Sequence, residues 1–589
     1  MTKSSRTSLP LICRLTIERF RGIERLVWCP ASGVNVILGG GDVGKTTVLD
    51  AIALLLNPTN STVISDADYL HREVDNGFCI EAVMSVPELC GINQQTKPAW
   101  PWEWDGKEPR LPNIAEQAGP SRDTRPVYRL RVRGTADFDL VYEILQPDDS
   151  TDHLSVAVRR RIGLVRLGGG DRNDRDLRLV QGSALDRLLS DKTLRARLGQ
   201  KLSETDIEDG LKDDARSNLR SLDEAFQKRT LPSGLSLGIA GGHGLSLNAM
   251  IGLKATKSKV KLPLASWGAG TRRLAALEIA AAYQKERPIT IVDELERGLE
   301  PYRQRVLMSE LEARGSQVFL TTHSAAALSA ASTAIFWYMG SPDSIGRLPS
   351  GVARHHKRDP ETFLARVAIV AEGLTEVGFV TSLLEKAIGG DILPHGLWVT
   401  DGGGNDQTLK LLEDLSKSGL TFGGFADNEG RNPKRWAVLQ KDLGNILFQW
   451  SVGCLEENII KLVPDERLED FIKDSEGESG VRRRTLAERL GIEEKDFSSI
   501  VNETSDLKML IIQAATGSIP DNMSDTPSDG KKALRKHSER WFKSVDGGRE
   551  LAAKVFRFGL WPQLKEQLLP FLNAVRKAVS LPEISTLPS

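Results

Sequence analysis

Gly39–Thr46, which reads G-G-G-D-V-G-K-T, is the most informative segment for the fold of the first half of the chain. It fits the P-loop pattern G-x-x-x-x-G-K-[ST]. The fixed positions of that pattern are held by Gly39, Gly44, Lys45 and Thr46. An apolar run at 34–38 predicts a buried strand before the loop, and the run at 47–56 predicts a helix after it. Strand, glycine loop and helix together predict an α/β nucleotide-binding fold.

Each part of this loop suits a phosphate ligand. Main-chain N–H groups of the loop and the helix N-terminus can face phosphate oxygens. Lys45 can neutralise the β- and γ-phosphates, and the Thr46 hydroxyl can ligate Mg²⁺. We therefore expect ATP as cofactor. The residues predicted to contact it here are Gly39, Gly41, Asp42, Gly44, Lys45, Thr46 and Thr47.

Length and composition set broad limits on the rest. The 589 residues predict two to four domains, and the net charge of -1 excludes a globally basic nucleic-acid-binding protein. The five scattered cysteines include no C-x-x-C pair, which favours a reducing cytoplasm over a disulfide framework. No export segment and no run of eighteen apolar residues is found, so we expect a cytoplasmic protein without a membrane span.

Three further elements of an ATPase follow in order. Asp293 and Glu294 end an apolar run at 289–292, where Asp293 can hold Mg²⁺ and Glu294 can polarise the attacking water. His323 ends the next apolar run and can contact the γ-phosphate. The stretch S-W-G-A-G, with Ser266, Gly268 and Gly270, opens a helix whose N-terminus offers a second phosphate contact.

This order resembles the ABC-type ATPase heads of the SMC, RecF and Rad50 group. The opening L-x-I-x-x-F-R-G at 15–22 is similar to the same group. In that group two heads sandwich ATP between the P-loop of one and the signature helix of the other, which implies a homodimer or higher homo-oligomer. The chain departs from it in the signature, S-W-G-A-G-T-R-R, and in Glu300-Pro301, where relatives often have His-Pro. These departures imply slow hydrolysis, or ATP acting as a switch.

Changes in composition and in the spacing of apolar residues along the chain predict its domains. We expect an ATPase head at 1–150 and 231–345, interrupted at 151–230 by an Arg-, Asp- and Leu-rich helical insertion used for dimerisation. The alternative for that insertion is an exposed helical lobe. A linker is predicted at 346–365, and a second α/β unit with a helical C-terminal part at 366–589. Alternating tryptophans at 100–104 could stack bases, but the pattern favours a packed excursion.

Carboxylates follow successive apolar runs in the second half and predict a metal site. They are Glu372, Glu376, Asp427, Glu429, Glu456 and Glu457. Singly, each is more often a solvated acid at a strand end. As a set, their hard oxygens suit Mg²⁺ or Mn²⁺, and two such ions can activate water and stabilise the leaving oxygen of a phosphodiester.

The arrangement resembles a TOPRIM (Rossmann-like) domain, and an ABC-type head followed by TOPRIM resembles the OLD (overcoming lysogenization defect) nucleases, including the Gabija nuclease. The resemblance implies that Glu372 and Asp427 are catalytic, that Glu376, Glu429, Glu456 and Glu457 share in metal binding, and that a C-terminal lysine stabilises the transition state. The candidates are Lys508, Lys531, Lys532 and Lys543, of which Lys543 is favoured.

The function implied is an ATP-binding and ATP-hydrolysing, divalent-metal-dependent DNA endonuclease in anti-phage defence, with a helicase or reverse transcriptase as a candidate partner. The alternative is an ATPase sensor or scaffold subunit whose TOPRIM domain does not cut. Primase or topoisomerase chemistry is a third interpretation. Topoisomerases need a tyrosine nucleophile. No tyrosine follows Tyr338, which disfavours the topoisomerase interpretation.

Overall fold

The computed structural model describes two compact units, an N-terminal unit, Met1–Arg347, and a C-terminal unit, Leu348–Ser589. The residues described are 9–59, 62–94, 97–112, 125–167, 177, 183–189, 211–239, 251–257, 260–283, 288–416, 419–519 and 528–588. The division between the units falls inside the segment 346–365. That segment is not only a linker, because it contains the helix Ala353–Arg358. Its His355 is buried, with Nε2 2.9 Å from Thr400 Oγ1.

The N-terminal unit contains a six-stranded sheet that carries the P-loop. Its order is Leu164–Leu167, Ile289–Val292, Val318–Thr321, Val34–Gly39, Ile335–Ser341, Ser344–Arg347. All neighbours are parallel except the last pair. The central strands are buried and almost wholly apolar, as expected for a parallel sheet covered on both faces. Strand ends that carry polar residues are thereby brought to one edge.

A second, eight-stranded sheet packs over the first. Its antiparallel strands are Leu11–Phe20, Ile23–Trp28, Phe78–Ser85, Trp102–Trp104, Pro109–Arg110, Arg125–Gly134, Leu140–Leu145 and Thr151–His153. The alternating pattern of Leu11–Phe20 places its apolar residues in a core shared with the helix Lys45–Leu55. Trp102 and Trp104 are buried, which agrees with a packed excursion for that tryptophan run, whereas Trp100 is 67% exposed.

The predicted helical insertion at 151–230 is wrong in its first part. Thr151–His153 and Leu164–Leu167 are strands of the two sheets. Leu164–Leu167 pairs in parallel with Ile289–Val292, an apolar strand distant in sequence, so local composition did not reveal it. The helices Ala184–Leu189 and Asp213–Lys228 do lie in this stretch, and its remaining residues are largely outside those described.

The remaining elements of the N-terminal unit complete its layers. A three-stranded antiparallel sheet is formed by Ser233–Ile239, Ile251–Lys257 and Val260–Pro263. The other α-helices in the described part of this unit are Val156–Ile162, Ala269–Tyr283, Pro301–Ala313 and Ala325–Ala330.

The C-terminal unit is built on a four-stranded parallel sheet. Its order is Leu397–Asp401, Val367–Ala371, Phe422–Ala426, Leu447–Gln449. Its other α-helices are Leu374–Ile388, Asn405–Leu415, Pro433–Leu443, Leu455–Leu462, Leu468–Phe471, Gly480–Leu490, Phe497–Glu503, Leu507–Thr516, Ser528–Lys536, Val545–Arg557 and Trp561–Ala578. Because every strand is parallel, all carboxyl ends meet at one edge, where ligands bind in open α/β sheets.

Two helices of this unit cross at glycines. A Cβ on Gly378, in Leu374–Ile388, would lie 1.9 Å from the carbonyl oxygen of Val545. A Cβ on Gly548, in Val545–Arg557, would lie 1.9 Å from the carbonyl oxygen of Thr375. The Thr375 hydroxyl donates to the carbonyl oxygen of Phe542 at 2.9 Å. These contacts fix the segment just before the second helix against the start of the first.

Gly378→Ala is expected to lower the free energy of unfolding of the C-terminal unit by at least about 2 kcal/mol, the cost of overpacking a close contact. Alanine at an open helical site would instead stabilise by up to about 1 kcal/mol. Gly480→Ala is the matched control, since nothing lies within 4 Å of its added Cβ. Denaturant unfolding of both variants measures the difference, and equal stabilities would contradict the close crossing.

Candidate functional site

The P-loop backbone has the conformation that its glycines allow. Gly44 has a φ of 92° and Gly39 a φ of 148°, and a Cβ on Gly39 would lie 2.4 Å from the Met339 carbonyl oxygen. Asp42 is left-handed as well, while Gly41 has open space around it. The start of the loop therefore packs closely against the sheet, and the middle of the loop around Gly41 is open to a ligand.

Lys45 points back into the loop. Its Nζ donates to the carbonyl oxygens of Gly39 at 2.9 Å and Gly40 at 2.5 Å. Burial lowers the pKa of Lys45 below its usual value, against the opposing effect of Asp293. An ammonium group that is buried with mainly carbonyl partners is suited to take an anionic ligand such as phosphate.

Thr46 and Asp293 come together across the sheet edge, as the sequence predicts for a shared Mg²⁺. Thr46 Oγ1 lies 3.3 Å from Asp293 Oδ1, which also accepts from Thr321 Oγ1 at 2.7 Å. Thr321 in turn accepts from the Glu294 N–H at 2.8 Å. A hydroxyl and a carboxylate oxygen at this spacing fit a hard divalent cation beside the P-loop.

Glu294 sits on a strained turn. Its φ of 50° is unusual for a residue with a side chain, and about half of the side chain is exposed. Arg273, from the helix Ala269–Tyr283, is buried and donates to the carbonyl oxygens of Asp293, Glu294 and Arg297. Burial lowers the pKa of Arg273 to about 10. Arg273 thus fixes the turn that presents Glu294.

Arg273→Ala is expected to reduce ATP turnover about 10- to 100-fold, the usual effect of removing a group that orients a functional side chain. The carbonyl oxygens left without a donor would let the Glu294 turn relax. Steady-state kinetics should show the loss in kcat, with the KM for ATP changed much less. Arg305→Ala, an exposed arginine of Pro301–Ala313, is the control. Equal losses in kcat and affinity would contradict a role limited to this turn.

The glycine-rich signature segment contacts the same turn. A Cβ on Gly270 would lie 2.0 Å from the Gly298 carbonyl oxygen, so Gly270 packs tightly there. Ser266 and Gly268 are exposed at the start of the helix. His323 is also exposed, and its N–H donates to Glu296 at 2.9 Å. Gly270 and His323 therefore both contact the Asp293–Gly298 turn.

The opening motif also reaches the P-loop helix. Arg21 forms an ion pair with Asp50 of Lys45–Leu55, and a second with Asp68 at 3.0 Å. Asp50 also pairs with Arg166. Burial alone would lower the pKa of Arg21, but the carboxylates of Asp50 and Asp68 raise it above its usual value. Arg21 therefore joins the eight-stranded sheet to the back of the nucleotide site.

The C-terminal unit brings four of the predicted acids together at the carboxyl edge of its sheet. This acidic cluster comprises Glu372, Glu376, Asp427 and Glu456, all at least 90% buried. Glu372 and Asp427 directly follow strands, and Glu376 and Glu456 lie in the first turns of helices. Glu372, Glu376 and Asp427 line a cavity of about 730 Å³, with Glu429, Glu457 and Lys543.

Main-chain and amide donors hold two members of the cluster. Glu372 Oε2 accepts from Asn405 Nδ2 at 2.9 Å and from the Asp427 N–H at 3.0 Å. Asp427 Oδ1 accepts from the Leu455 N–H at 3.0 Å. The remaining carboxylate oxygens of both residues are thus positioned by fixed partners, as a metal site requires.

The electrostatics of the cluster favour a cation. Burial raises the pKa of Asp427 and of Glu376, and neighbouring carboxylates raise them further. Burial also raises the pKa of Glu372. Lys543 Nζ pairs with Glu456 Oε1 at 2.7 Å. Burial alone would lower the pKa of Lys543, but Glu456 and Glu376 raise it above its usual value. One lysine against four acids leaves negative charge that a divalent cation would offset.

Lys543 is the candidate lysine that the structure places at this cavity. It lies two residues before the helix Val545–Arg557, which the glycine crossing fixes against Leu374–Ile388. Lys508 pairs with Asp465 at 2.9 Å instead. Lys531 and Lys532 belong to the helix Ser528–Lys536. Glu429 and Glu457, the two acids at the rim of the cavity, form ion pairs outside the acidic cluster. Glu429 pairs with Arg431 at 3.4 Å, and Glu457 pairs with Lys461 at 2.6 Å.

Several polar residues of the two sites were not predicted as site residues. They include Thr321, Asn405 and Cys454, besides Arg273. Asn405 follows the G-G-G turn after Leu397–Asp401, where Gly403 and Gly404 have positive φ. A glycine run after a buried strand was the available signal for Asn405. Thr321 and Cys454 carry no motif that would separate them from core residues.

Comparison with known proteins finds one family match, inside the N-terminal unit. Residues 149–329, less than half of the chain, match the family model described as AAA domain, putative AbiEii toxin, Type IV TA system. No curated protein matches the chain. An SMC head bound to the C-winged helix domain of ScpA aligns at 16% identity over 58% of this chain and 99% of its own, with a TM-score of 0.36. RecF solved with ATP aligns at 12% identity over 59% and 100%, with a TM-score of 0.35.

A third structure, an Smc head with an extended coiled coil from Pyrococcus furiosus, aligns at 14% identity over 60% of this chain and 100% of its own, with a TM-score of 0.34. TM-scores this low support no conclusion about function. Among the described residues, none of the helices has the length and apolarity needed to cross a membrane. The family match and the P-loop geometry together assign a P-loop ATPase domain of α/β fold to the N-terminal unit.

Proposed function

We propose that the C-terminal unit is a divalent-metal-dependent DNA endonuclease domain of the TOPRIM type, controlled by ATP at the N-terminal unit. The observation that carries this proposal is the acidic cluster facing Lys543 beside one cavity. Buried carboxylates that share a cavity with a lysine suit metal-assisted hydrolysis of a phosphodiester. The parallel order of the four strands supports the assignment, because it brings these residues to one edge.

The donor set fits Mg²⁺ or Mn²⁺. Asp427, Glu372 and Glu376 would hold the cation, with Glu429 and Glu457 able to contribute from the rim. A bound divalent cation supplies an activated water and stabilises negative charge on phosphate oxygens. Burial, and after it the neighbouring carboxylates, raise the pKa of Glu376 and Asp427, and a bound cation would offset both effects.

The chain's own groups would do the rest. Asn405 and the Asp427 N–H hold Oε2 of Glu372, which lines the cavity. Lys543, held by Glu456, places a positive charge beside the acids, where it can stabilise the developing charge on the scissile phosphate. The cavity volume of about 730 Å³ is large enough to take a nucleotide of the substrate.

ATP is the proposed regulator. Lys45 and the P-loop would bind its phosphates, Thr46 and Asp293 its Mg²⁺, and Glu294 would polarise the attacking water. His323 and the segment with Ser266, Gly268 and Gly270 would complete the site, the latter in a second copy of the chain. This use of a homodimer follows from the resemblance to SMC- and RecF-like heads.

The OLD resemblance also sets the proposed biological role, which is DNA cleavage in anti-phage defence. It further implies a helicase or reverse transcriptase as a partner. The test is plasmid nicking by the purified full chain with Mg²⁺ or Mn²⁺, with and without ATP. Hydrolysis of ATP without cleavage under either metal would favour the alternative, an ATPase sensor or scaffold with a non-cleaving C-terminal unit.

The choice of lysine gives a separate prediction. Lys543→Met is expected to reduce nicking about 100-fold or more, because a charge beside the reacting phosphate is lost. Lys508→Met should change nicking by less than about twofold, since surface ion pairs contribute little. Lys543→Arg keeps a charge beside Glu456 and controls for folding. A larger loss in Lys508→Met than in Lys543→Met would overturn the assignment.

A further inference from the structure

A thiol faces the acidic cluster, which is unusual for a site built for hard cations. The Cys454 sulfur, an oxygen of Asp427 and an oxygen of Glu456 all lie within 4.8 Å of one another. Cys454 precedes the helix Leu455–Leu462 and lines the cavity. Three potential ligands on two neighbouring segments are therefore already gathered at the spacing of a metal site.

The Glu456 carboxylate supplies an independent sign of a missing ligand. Its side chain is fully buried, and Oε1 pairs with Lys543 Nζ at 2.7 Å. Its Oε2 accepts no hydrogen bond from any residue that the structure describes. Buried carboxylate oxygens rarely lack a partner, and a bound cation is one of the few groups that would satisfy this one.

We propose that Asp427, Cys454 and Glu456 form a binding site for a thiophilic divalent cation, Zn²⁺ or its probe Cd²⁺. Thiolate sulfur is a soft ligand that Mg²⁺ avoids and that Zn²⁺ and Cd²⁺ prefer. Three protein ligands leave an open coordination position, as in catalytic rather than structural zinc sites. The Cys454 S–H bond breaks as the sulfur–metal bond forms, and the proton leaves to solvent.

This site deepens the proposed function, because it shares Asp427 with the Mg²⁺ or Mn²⁺ site and takes Glu456, the partner of Lys543, as a ligand. A thiophilic cation held there withdraws Asp427 from the hard cation. Zn²⁺ therefore acts as an inhibitor of metal-dependent cleavage. The Cys454 thiolate gives the site its preference for Zn²⁺ over Mg²⁺ or Mn²⁺. Cadmium binding itself needs no cleavage, so it can be measured whether or not the chain cuts DNA.

The experiment is titration of the full chain with Cd²⁺ alone, followed by the ultraviolet charge-transfer absorption of a cadmium–thiolate bond. The wild type should saturate at one equivalent. Cys454→Ser should lose the band and bind Cd²⁺ at least about tenfold more weakly, the lower bound for losing a metal-site group. Cys29→Ser is the control, because Cys29 is exposed and remote in sequence from the cluster.

A second variant keeps the thiol and removes a carboxylate. Glu456→Gln should weaken Cd²⁺ binding at least about tenfold while a weaker band remains. No saturable band in the wild type, a band that persists in Cys454→Ser, or a band that depends on Cys29 would overturn the site. A Cys454-dependent band in a chain that never nicks DNA would support this site and count against the proposed nuclease.

Discussion

Asp427→Asn is expected to lower metal-dependent nicking by at least about 100-fold while leaving the fold intact, because it removes a charged metal ligand without changing its shape. Asparagine can still accept from the Leu455 N–H through its side-chain oxygen, the contact that Asp427 makes at 3.0 Å. The strand Phe422–Ala426 and the start of Leu455–Leu462 should therefore keep their places. What is lost is one negative charge of the acidic cluster.

Stability in the presence of metal separates this effect from misfolding. A cation at 100 times its dissociation constant stabilises a protein by about 2.7 kcal/mol, so the wild type should unfold at a higher temperature in Mg²⁺ or Mn²⁺ than in EDTA. The variant should show little such shift. In EDTA it should be at least as stable as the wild type, since burial and neighbouring acids raise the pKa of Asp427 and make its charge unfavourable.

Asp465→Asn is the matched control. Asp465 is 82% exposed and pairs with Lys508. It should nick as the wild type does and keep its stabilisation by metal. If Asp427→Asn nicked as fast as this control, the metal-site assignment would be wrong, whatever its unfolding temperature.

The nucleotide site was predictable because the residues that define it are close together in the sequence. The P-loop pattern specifies strand, turn and helix within about twenty residues, and the structure confirms those elements. The support given by Arg273 was not predictable. Its three carbonyl partners lie on a turn about twenty residues away, and an arginine inside an Ala/Leu-rich helix has no pattern of its own.

The acidic cluster was predictable only as a set of strand ends. The sequence could name Glu456 and Glu457 but could not choose between them. In the structure Glu456 is buried against Lys543, whereas Glu457 pairs with Lys461 one helical turn away. That choice depends on helix phase after Gly453, which has a φ of 73°. A change of one residue there would exchange the two side chains.

The choice of lysine depends on longer-range packing. Lys543 reaches the cluster because Gly378 and Gly548 let two helices cross closely, and the two glycines are separated by most of the unit. The same limit explains the error at 151–167. The strand Leu164–Leu167 pairs with Ile289–Val292, which is a tertiary contact. A short segment of mixed composition does not reveal such a contact in the sequence.

Lys45→Ala is expected to abolish measurable ATP binding at micromolar nucleotide and to reduce ATP turnover by about 10²- to 10³-fold, the effect of removing one preorganised charge from a reacting phosphate. The Lys45 ammonium group is buried with the carbonyl oxygens of Gly39 and Gly40, and burial lowers its pKa. Phosphate oxygens would take the place of these carbonyl oxygens as partners of the ammonium group. Alanine leaves the loop backbone and its glycines unchanged.

The two sites belong to different units, so this substitution also tests how they are coupled. If ATP acts as a switch, Lys45→Ala should nick DNA at one rate with or without ATP, whereas wild-type nicking should respond to the nucleotide. Arg25→Ala removes a cation that is 70% exposed and should bind ATP normally. Nucleotide binding by calorimetry and nicking across a range of ATP concentrations measure both effects. If Lys45→Ala stopped nicking as completely as Asp427→Asn in every nucleotide condition, ATP would drive cleavage directly rather than gate it.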